Sequence, residues 1–238
     1  MLSRLSSDQS PADKALAIEL PRKIFSEMGA KTTFHSYNYP RLMRNLDRGI
    51  VDAGAVFRFN GKFLIPENAQ FSCADNPHLG LPLIVSKLAH NHSIPDRLSL
   101  ADLEYYSIGY FRSLGKDIDP FISKPNFKPA NDVSTLFKML KSRRIDLVLA
   151  DYAITEGLSR RLNVQTQEVF KAGFLEVFMC VSHRERGKPA AKQLANNYRK
   201  GLQVLWDNGY FLQFLERWGL EYHAALYLPQ SLKNAATH

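Results

Sequence analysis

The chain has 238 residues, 45% of them hydrophobic and 23% charged, a balance that is typical of a folded globular protein and excludes disorder as the main state. Lys and Arg number 31 against 23 Asp and Glu, which gives a formal net charge of +8. That excess favours an anionic ligand, a nucleic acid or an anionic surface, but the basic residues are scattered in short groups, so a solubilising surface is preferred over a nucleic-acid interface.

Helices and strands alternate along most of the predicted chain. Apolar residues at helical spacing, Thr-rich and aromatic stretches, and Pro or Gly at boundaries define the elements. In chain order the sequence predicts a helix over 15–28 that Pro21 kinks or delays, a strand over 31–37, a helix over 41–48, strands over 50–59 and 82–87, a short helix from Ser99, strands over 107–111 and 175–182, and helices over 188–205 and 210–218. This order indicates an α/β layer around a mostly parallel sheet.

One helix-strand pattern occurs twice without a gap. LMRNLDRGIVDAGAV starts at Leu42, and LFKMLKSRRIDLVLA starts at Leu136. In each copy two leucines one helical turn apart are expected to pack on a sheet, and a β-branched residue followed by Asp marks the change from helix to buried strand. The repeat predicts two similar lobes.

The two cysteines, Cys73 and Cys180, are far apart in sequence and match no zinc or redox spacing. Two buried free thiols and one long-range disulfide in an oxidising compartment both stay open, because pairing depends on the distance between the Cα atoms.

No apolar run in the chain approaches the roughly 18 residues that a membrane-spanning helix needs. The first fifteen residues are polar and Ser-rich and lack the apolar core of a secretory signal peptide. We expect either a cytoplasmic protein or a chain whose natural start lies further upstream.

Taken in order, six segments resemble the extracellular solute-binding protein family 3, the type II periplasmic binding proteins of amino-acid transporters. The resemblance covers roughly residues 15–220. Its most specific parts are the segments GIVD and IDLVLAD in the two copies of the repeat and the ending NGYFLQFLERW from Asn208 to Trp218. The segments are FSEMGAKTTF, RLMRNLDRGIVDA, LPLIVSK, LSLADLEYYSIGYFRS, LKSRRIDLVLADYAITEGL and LANNYRKGLQVLWDNGYFLQFLERWGL.

The resemblance implies an α/β protein with the two-lobe, type II periplasmic-binding-protein-like fold. Lobe one would hold residues 1–84 and 182–238, and lobe two residues 85–181, with LPLIVSK and EVFMCVSH as the two hinge strands. These hinges would also bring the two cysteines into the same region. A small polar solute would bind between the lobes at the carboxyl ends of the strands, and the lobes would close around it.

The family's ammonium-binding carboxylate corresponds to Asp151, five residues after the Asp of the I-D pair. A carboxylate at the end of a buried strand is costly unless it is paired, and a cationic group of the ligand is a suitable partner. The alternative is that Asp151 caps a helix over 152–158, since Asp is a favoured N-cap. Both roles are compatible.

The family's arginine motif for the ligand carboxylate is missing, which puts a standard amino-acid ligand in doubt. Arg58 is the candidate substitute, with Phe57 or Phe59 lining the pocket, although alternate strand residues face opposite ways. In lobe two, Arg112 and the backbone from Ser113 are candidates to hold an anion where the next helix starts. Core aromatics and a surface arginine are equally good interpretations.

The family's first strand also has no counterpart, so we expect a start placed too far downstream or a trimmed chain. In that case the resemblance implies a monomeric periplasmic protein that delivers its solute to the membrane permease of an ABC transporter.

The sequence contains no nucleophile motif, metal-ligand cluster, phosphate loop or dinucleotide fingerprint. We therefore expect no catalytic residue, no metal, no cofactor and no nucleic-acid partner. The alternatives are a small-molecule sensor without a transporter and, less favoured, a dehydratase-like enzyme on the same fold.

Overall fold

The computed structural model describes residues 18–35, 37, 39–59, 62–63, 68–112 and 126–217. They form α1 (Leu20–Glu27), α2 (Tyr39–Asp47), β1 (Ala53–Phe59), β2 (Lys62–Phe63), β3 (Phe71–Cys73), β4 (Leu79–Leu88), a 3-10 helix (Asp102–Tyr105), β5 (Ile108–Phe111), β6 (Phe127–Ala130), α3 (Val133–Lys141), β7 (Leu147–Asp151), α4 (Tyr152–Leu162), β8 (Thr166–Ser182), α5 (Gly187–Asp207) and α6 (Tyr210–Arg217).

The chain divides into two compact units. The first unit contains the described residues of Pro11–Gly80 and Leu175–His238, and the second unit contains Leu81–Phe174 apart from its undescribed part. The chain therefore crosses between the units twice, once near the start of β4 and once within β8.

In the first unit, β1 lies between β2 and the second half of β8, and both pairings are antiparallel. β3 pairs with β8 through the register Cys73↔Cys180. The side chains of α2 that face this sheet, including Leu42 and Leu46, are fully buried with Phe178. Gly54 allows this close packing, because a Cβ there would lie 2.9 Å from Leu42 Cδ1.

In the second unit, β5 lies between β6 and β7, and both pairings are parallel, whereas β4 pairs with β7 in the antiparallel direction. α3 and α4 cover this sheet. Leu136 and Leu140 of α3 are buried with Ile145 and Val148, as Leu42 and Leu46 are in the first unit. The two copies of the repeat thus occupy equivalent helix-strand positions in different units.

The strands follow one hydrogen-bonded order, β2-β1-β8-β4-β7-β5-β6. The expectation of a mostly parallel sheet is met only where β5 pairs with β6 and β7, because the pairings of β1, β3 and β4 described above are antiparallel. β8 is 17 residues long and contributes to both units. The sequence predicted only its second half, over 175–182. In the first half only Val169 and Ala172 are buried, among half-buried and exposed residues, so it lacks the apolar run that identified the second half.

The predicted strand over 31–37 was wrong over residues 31–35, which have no regular structure, whereas Tyr37 forms an isolated β-bridge and position 36 lies outside the described residues. Strand propensity is insufficient without a neighbouring strand that pairs with the backbone. The late helix start was correct, since α1 begins at Leu20 with Pro21 in its first turn. The capping interaction at Ser99 is also present: Ser99 N donates to Asp102 Oδ2 at 2.7 Å, and Asp102 N donates to Ser99 Oγ at 3.3 Å.

The two cysteines form a disulfide that joins β3 to β8. Cys73 and Cys180 are register partners with Cα atoms 3.8 Å apart, and Cys180 is fully buried. Of the two interpretations that the sequence left open, the long-range disulfide is the one observed.

Candidate functional site

The carboxyl ends of two neighbouring parallel strands place Arg112 and Asp151 at the same edge of the second unit's sheet. The register of β5 and β7 pairs Tyr110 with Leu149. Arg112 lies two positions after Tyr110, and Asp151 lies two positions after Leu149. In sheets of this kind, ligands bind outside the carboxyl ends of the strands.

Asp151 is half-buried and caps α4. Its Oδ1 accepts a hydrogen bond from Ile154 N at 3.0 Å, and its backbone carbonyl accepts one from Thr155 Oγ1 at 2.8 Å. The first bond holds the carboxylate, and the second the backbone, at the point where β7 ends and the helix begins. The capping role is therefore observed, and it leaves the ligand role a prediction.

The residues on either side of Asp151 support the same geometry. Four residues of β7 before it, Leu147–Ala150, are buried. Tyr152 begins α4, and burial, followed by the charge of Glu156, raises the pKa of its phenol. In sequence, Asp151 thus lies between a buried apolar strand and a half-buried tyrosine.

Arg112 is exposed at the end of β5. The predicted anion site used its guanidinium together with the backbone from Ser113, and Ser113 lies outside the described residues. The structure thus brings Arg112 and Asp151 to one edge of the sheet, whereas Arg58, Phe57 and Phe59 belong to the other unit.

Arg58 forms a bidentate ion pair with Glu176. Arg58 Nε lies 2.6 Å from Glu176 Oε2, and Nη2 lies 2.9 Å from Oε1. The two residues are register partners on β1 and β8, and the guanidinium carbon lies 4.6 Å from the ring centre of Phe178. The hydrogen bond to Glu176 raises the pKa of Arg58 despite the opposing effect of burial. Both donors of this fork therefore already bind a carboxylate of the protein.

The two phenylalanines that flank Arg58 have different surroundings. Phe59 is 1% exposed and belongs to the core, so it offers no accessible surface to a solute in this structure. Phe57 is half-buried, its ring centre lies 5.2 Å from that of Tyr39, and its backbone N donates to Tyr39 Oη at 3.4 Å. Their ligand roles stay predictions.

Glu176 is the partner of Arg58 that the sequence analysis missed. It lies 118 positions from Arg58, and only the register of β1 with β8 brings the two together. A single charged residue in a strongly apolar strand, LEVFMCVS, was the available signal, because such a charge is costly without a partner.

Neither a metal site nor a membrane span is found in the described part of the chain. No group of three or more His, Cys, Asp or Glu side chains within the described ranges is arranged to hold a metal ion. Among those same residues, no helix combines the length and the apolar character that crossing a bilayer requires.

No protein-family model matches the chain, and no curated protein matches it in sequence. Solved structures do match. A histidine kinase sensor domain with similarity to periplasmic binding proteins is 15% identical, covers 84% of both chains and gives a TM-score of 0.66. A putative L-cystine ABC transporter protein from Listeria monocytogenes is 21% identical over 89% of this chain and 87% of that one, with a TM-score of 0.64. An ancestral arginine-binding protein bound to glutamine is 22% identical over 86% and 87%, with a TM-score of 0.62.

These similarities confirm the predicted fold. The chain has an α/β fold like that of type II periplasmic binding proteins, and its resemblance to the substrate-binding proteins of amino-acid ABC transporters is a resemblance of structure over most of the chain. The absence of a matching family model is consistent with strong sequence divergence.

Proposed function

We propose that the chain is a binding protein for a small polar solute that carries an amine, such as an amino acid or a related metabolite. The observation that carries the proposal is the carboxylate of Asp151, fixed by a helix cap at the carboxyl end of β7 in a fold whose structural relatives include an arginine-binding protein bound to glutamine. A carboxylate that is already held in one orientation binds an ammonium group at a lower entropic cost, because little conformational freedom of the side chain is lost on binding.

Capping does not prevent Asp151 from binding a solute. A carboxylate has about four lone-pair positions on two oxygens, so the hydrogen bond from the backbone N of Ile154 does not by itself exclude a further donor. The cap holds the side chain in one orientation, and an ammonium group adds a charge-assisted hydrogen bond to it.

An anionic group of the solute is assigned to Arg112 rather than to Arg58. Arg112 is exposed at the same edge as Asp151. Arg58, in contrast, has its fork bound to Glu176, so a solute carboxylate would have to displace a protein carboxylate. This arrangement favours a solute whose amine contributes more to recognition than its carboxylate does.

The solute is bound and not transformed in this proposal. Transport as the substrate-binding component of an ABC transporter and sensing without a transporter are both supported, because the structural relatives include substrate-binding proteins and a kinase sensor domain. Genes for a permease and an ATPase beside the coding sequence would favour transport, and a neighbouring kinase gene would favour sensing.

A location outside the cytoplasm fits the disulfide between Cys73 and Cys180, since disulfides persist in oxidising compartments. The proposed partners are therefore the small solute and, for the transport role, a membrane permease. The protein acts as a monomer in this proposal.

Native mass spectrometry of the purified full chain tests the proposal. We expect a co-purified molecule that binds one to one and contains an amine, and calorimetry with that compound should give saturable heat. A chain that carries no such molecule and gives no heat with a panel of amino acids and small amines would contradict the proposed function.

A further inference from the structure

The turn that follows α3 holds an arginine in a backbone conformation that favours glycine. Arg143 has a φ of 56°, in the left-handed region that is unfavourable for a residue with a long side chain. Its N donates to Leu140 O at 3.0 Å, and Arg144 N donates to Met139 O at 2.9 Å. These two bonds define a Schellman motif, in which the left-handed residue is usually Gly and sometimes Asn.

Three other helices of the chain end in the same motif with the residues that it favours. The backbone bonds of the motif are present after α1, α2 and α4, and the left-handed residues there are Gly29, Gly49 and Asn163. The residue that follows is apolar in each case, namely Ala30, Ile50 and Val164, which is typical of the motif. The turn after α3 departs from both preferences.

The internal repeat provides a direct comparison for this turn. Gly49 and Ile50 of the first copy correspond to Arg143 and Arg144 of the second. Both copies form the same turn, so the fold does not require arginine at either position, and both arginine side chains are exposed. Backbone strain that the fold does not require indicates a role outside the fold.

The two arginines belong to a larger group of cations at the ends of α3 and α4. Residues 133–146 and 152–165 contain six exposed Lys and Arg side chains and only two carboxylates. Lys141 Nζ donates to Leu162 O at 3.0 Å, which places the carboxyl ends of the two helices side by side. We call the six cations the basic surface: Lys138, Lys141, Arg143, Arg144, Arg160 and Arg161.

Both carboxylates of these segments are already bound. Glu156 Oε2 lies 3.3 Å from Arg160 Nη2, and Asp146 Oδ2 accepts hydrogen bonds from Ser107 N at 2.8 Å and Ser107 Oγ at 2.6 Å. The helix dipole favours cations in the last turn of each helix. It therefore accounts for four of the six cations, but not for the two arginines that follow α3.

We propose that the basic surface docks the chain on the anionic headgroups of a phospholipid bilayer. No large exposed apolar side chain belongs to 133–146 or 152–165, whereas the centre of a protein interface is usually apolar. Arginine binds phosphate as a bidentate fork, and a bilayer offers many phosphates without a fixed spacing. One arginine beside such a bilayer contributes about a fivefold factor in affinity.

Co-sedimentation of the full-length chain with phosphatidylcholine vesicles, with or without phosphatidylglycerol, tests the proposal. We expect binding only when phosphatidylglycerol is present, and weaker binding as salt is raised. Arg143→Gly combined with Arg144→Gln should weaken this binding about 25-fold. Arg48→Gln combined with Lys200→Gln removes the same charge from exposed positions in the first unit and should leave the binding unchanged.

Arg143→Gly alone separates the binding role from a structural one. The variant copies Gly49, so the melting temperature should rise by about 2 to 4 °C, while vesicle binding should weaken about fivefold. Arg143→Lys, which keeps the charge, should bind like the parent.

The proposal fails if vesicles with phosphatidylglycerol do not retain the chain or if phosphatidylcholine alone retains it equally well. It also fails if the control pair weakens binding as much as the arginine pair does, or if Arg143→Gly melts no higher than the parent. Binding to a DNA duplex without binding to vesicles would overturn it as well. Vesicle binding requires no solute, so failure here and failure of the proposed function are distinguishable.

Discussion

Reduction of the disulfide between Cys73 and Cys180 should remove a large part of the chain's stability against complete unfolding. The two residues are 107 positions apart, so the bond closes a long loop in the unfolded chain. For a loop of about 100 residues, the lost conformational entropy corresponds to about 4.7 kcal/mol of stabilisation.

Urea unfolding in the presence and absence of a phosphine reductant measures this effect. With a urea dependence of about 3 kcal/mol per molar for a chain of this size, the midpoint should fall by about 1.5 M on reduction. Cys73→Ser with Cys180→Ala should unfold like the reduced parent, and Ala is chosen at position 180 because that side chain is fully buried.

The double variant also provides the control, because reductant should not alter its midpoint. The reasoning is refuted if the oxidised and reduced parent unfold at the same urea concentration, or if mass spectrometry of the oxidised chain finds two free thiols.

Three further outcomes concern burial and charge. Burial lowers the pKa of His78 to about 3. Because the side chain gains a proton near pH 6.5 in the unfolded chain but not in the folded one, the free energy of unfolding should fall by about 1.4 kcal/mol per pH unit below pH 6.5. His78→Leu should lack that contribution. Gly109→Ala should destabilise the second unit by about 1 to 3 kcal/mol, because its Cβ would lie 2.5 Å from Ile145 Cδ1. Glu176→Gln should lower the free energy of unfolding by about 1 to 3 kcal/mol, since it removes the bidentate partner of the half-buried Arg58.

Each of these three outcomes has a contrary result in denaturant titrations. An unchanged pH slope in His78→Leu would mean that another group causes the acid sensitivity. Parent-like stability of Gly109→Ala would mean that the side chains around it have room to move. Parent-like stability of Glu176→Gln would mean that water replaces the carboxylate at no cost.

Hydrophobic periodicity predicted the elements whose burial is local. The repeated leucines, such as Leu42 and Leu136, are fully buried in their respective units, and α5 and α6 lie close to the predicted ranges. The starts of helices were also predictable, because Pro21, Ser99 and Asp151 act on backbone groups no more than three positions away.

Pairing between distant strands was not predictable in the same way. The register of β8 decides that Cys180 meets Cys73 and that Glu176 meets Arg58, and one sequence contains no information on register across more than a hundred positions beyond its apolar pattern. The same limit applies to residues 31–35, whose Thr and Phe residues have strand propensity although no regular strand forms there.

The proposed solute site depends most on the charge of Asp151, which can be removed without removing the helix cap. Asn is as good an N-cap as Asp, so Asp151→Asn should keep the bond to Ile154 N and lose the ion pair with the solute's ammonium. Asp132, which caps α3 by accepting from Thr135 N at 2.7 Å, provides the matched control in the same unit.

Calorimetry of the parent, Asp151→Asn and Asp132→Asn with the co-purified solute is the most direct test. Loss of one partner of a desolvated charge pair costs about 2 to 5 kcal/mol, or at least about thirtyfold in affinity. We predict that loss for Asp151→Asn, parent-like affinity for Asp132→Asn, and melting temperatures within a few degrees of the parent for both. Parent-like affinity of Asp151→Asn would contradict the assignment of Asp151 as the ammonium-binding carboxylate.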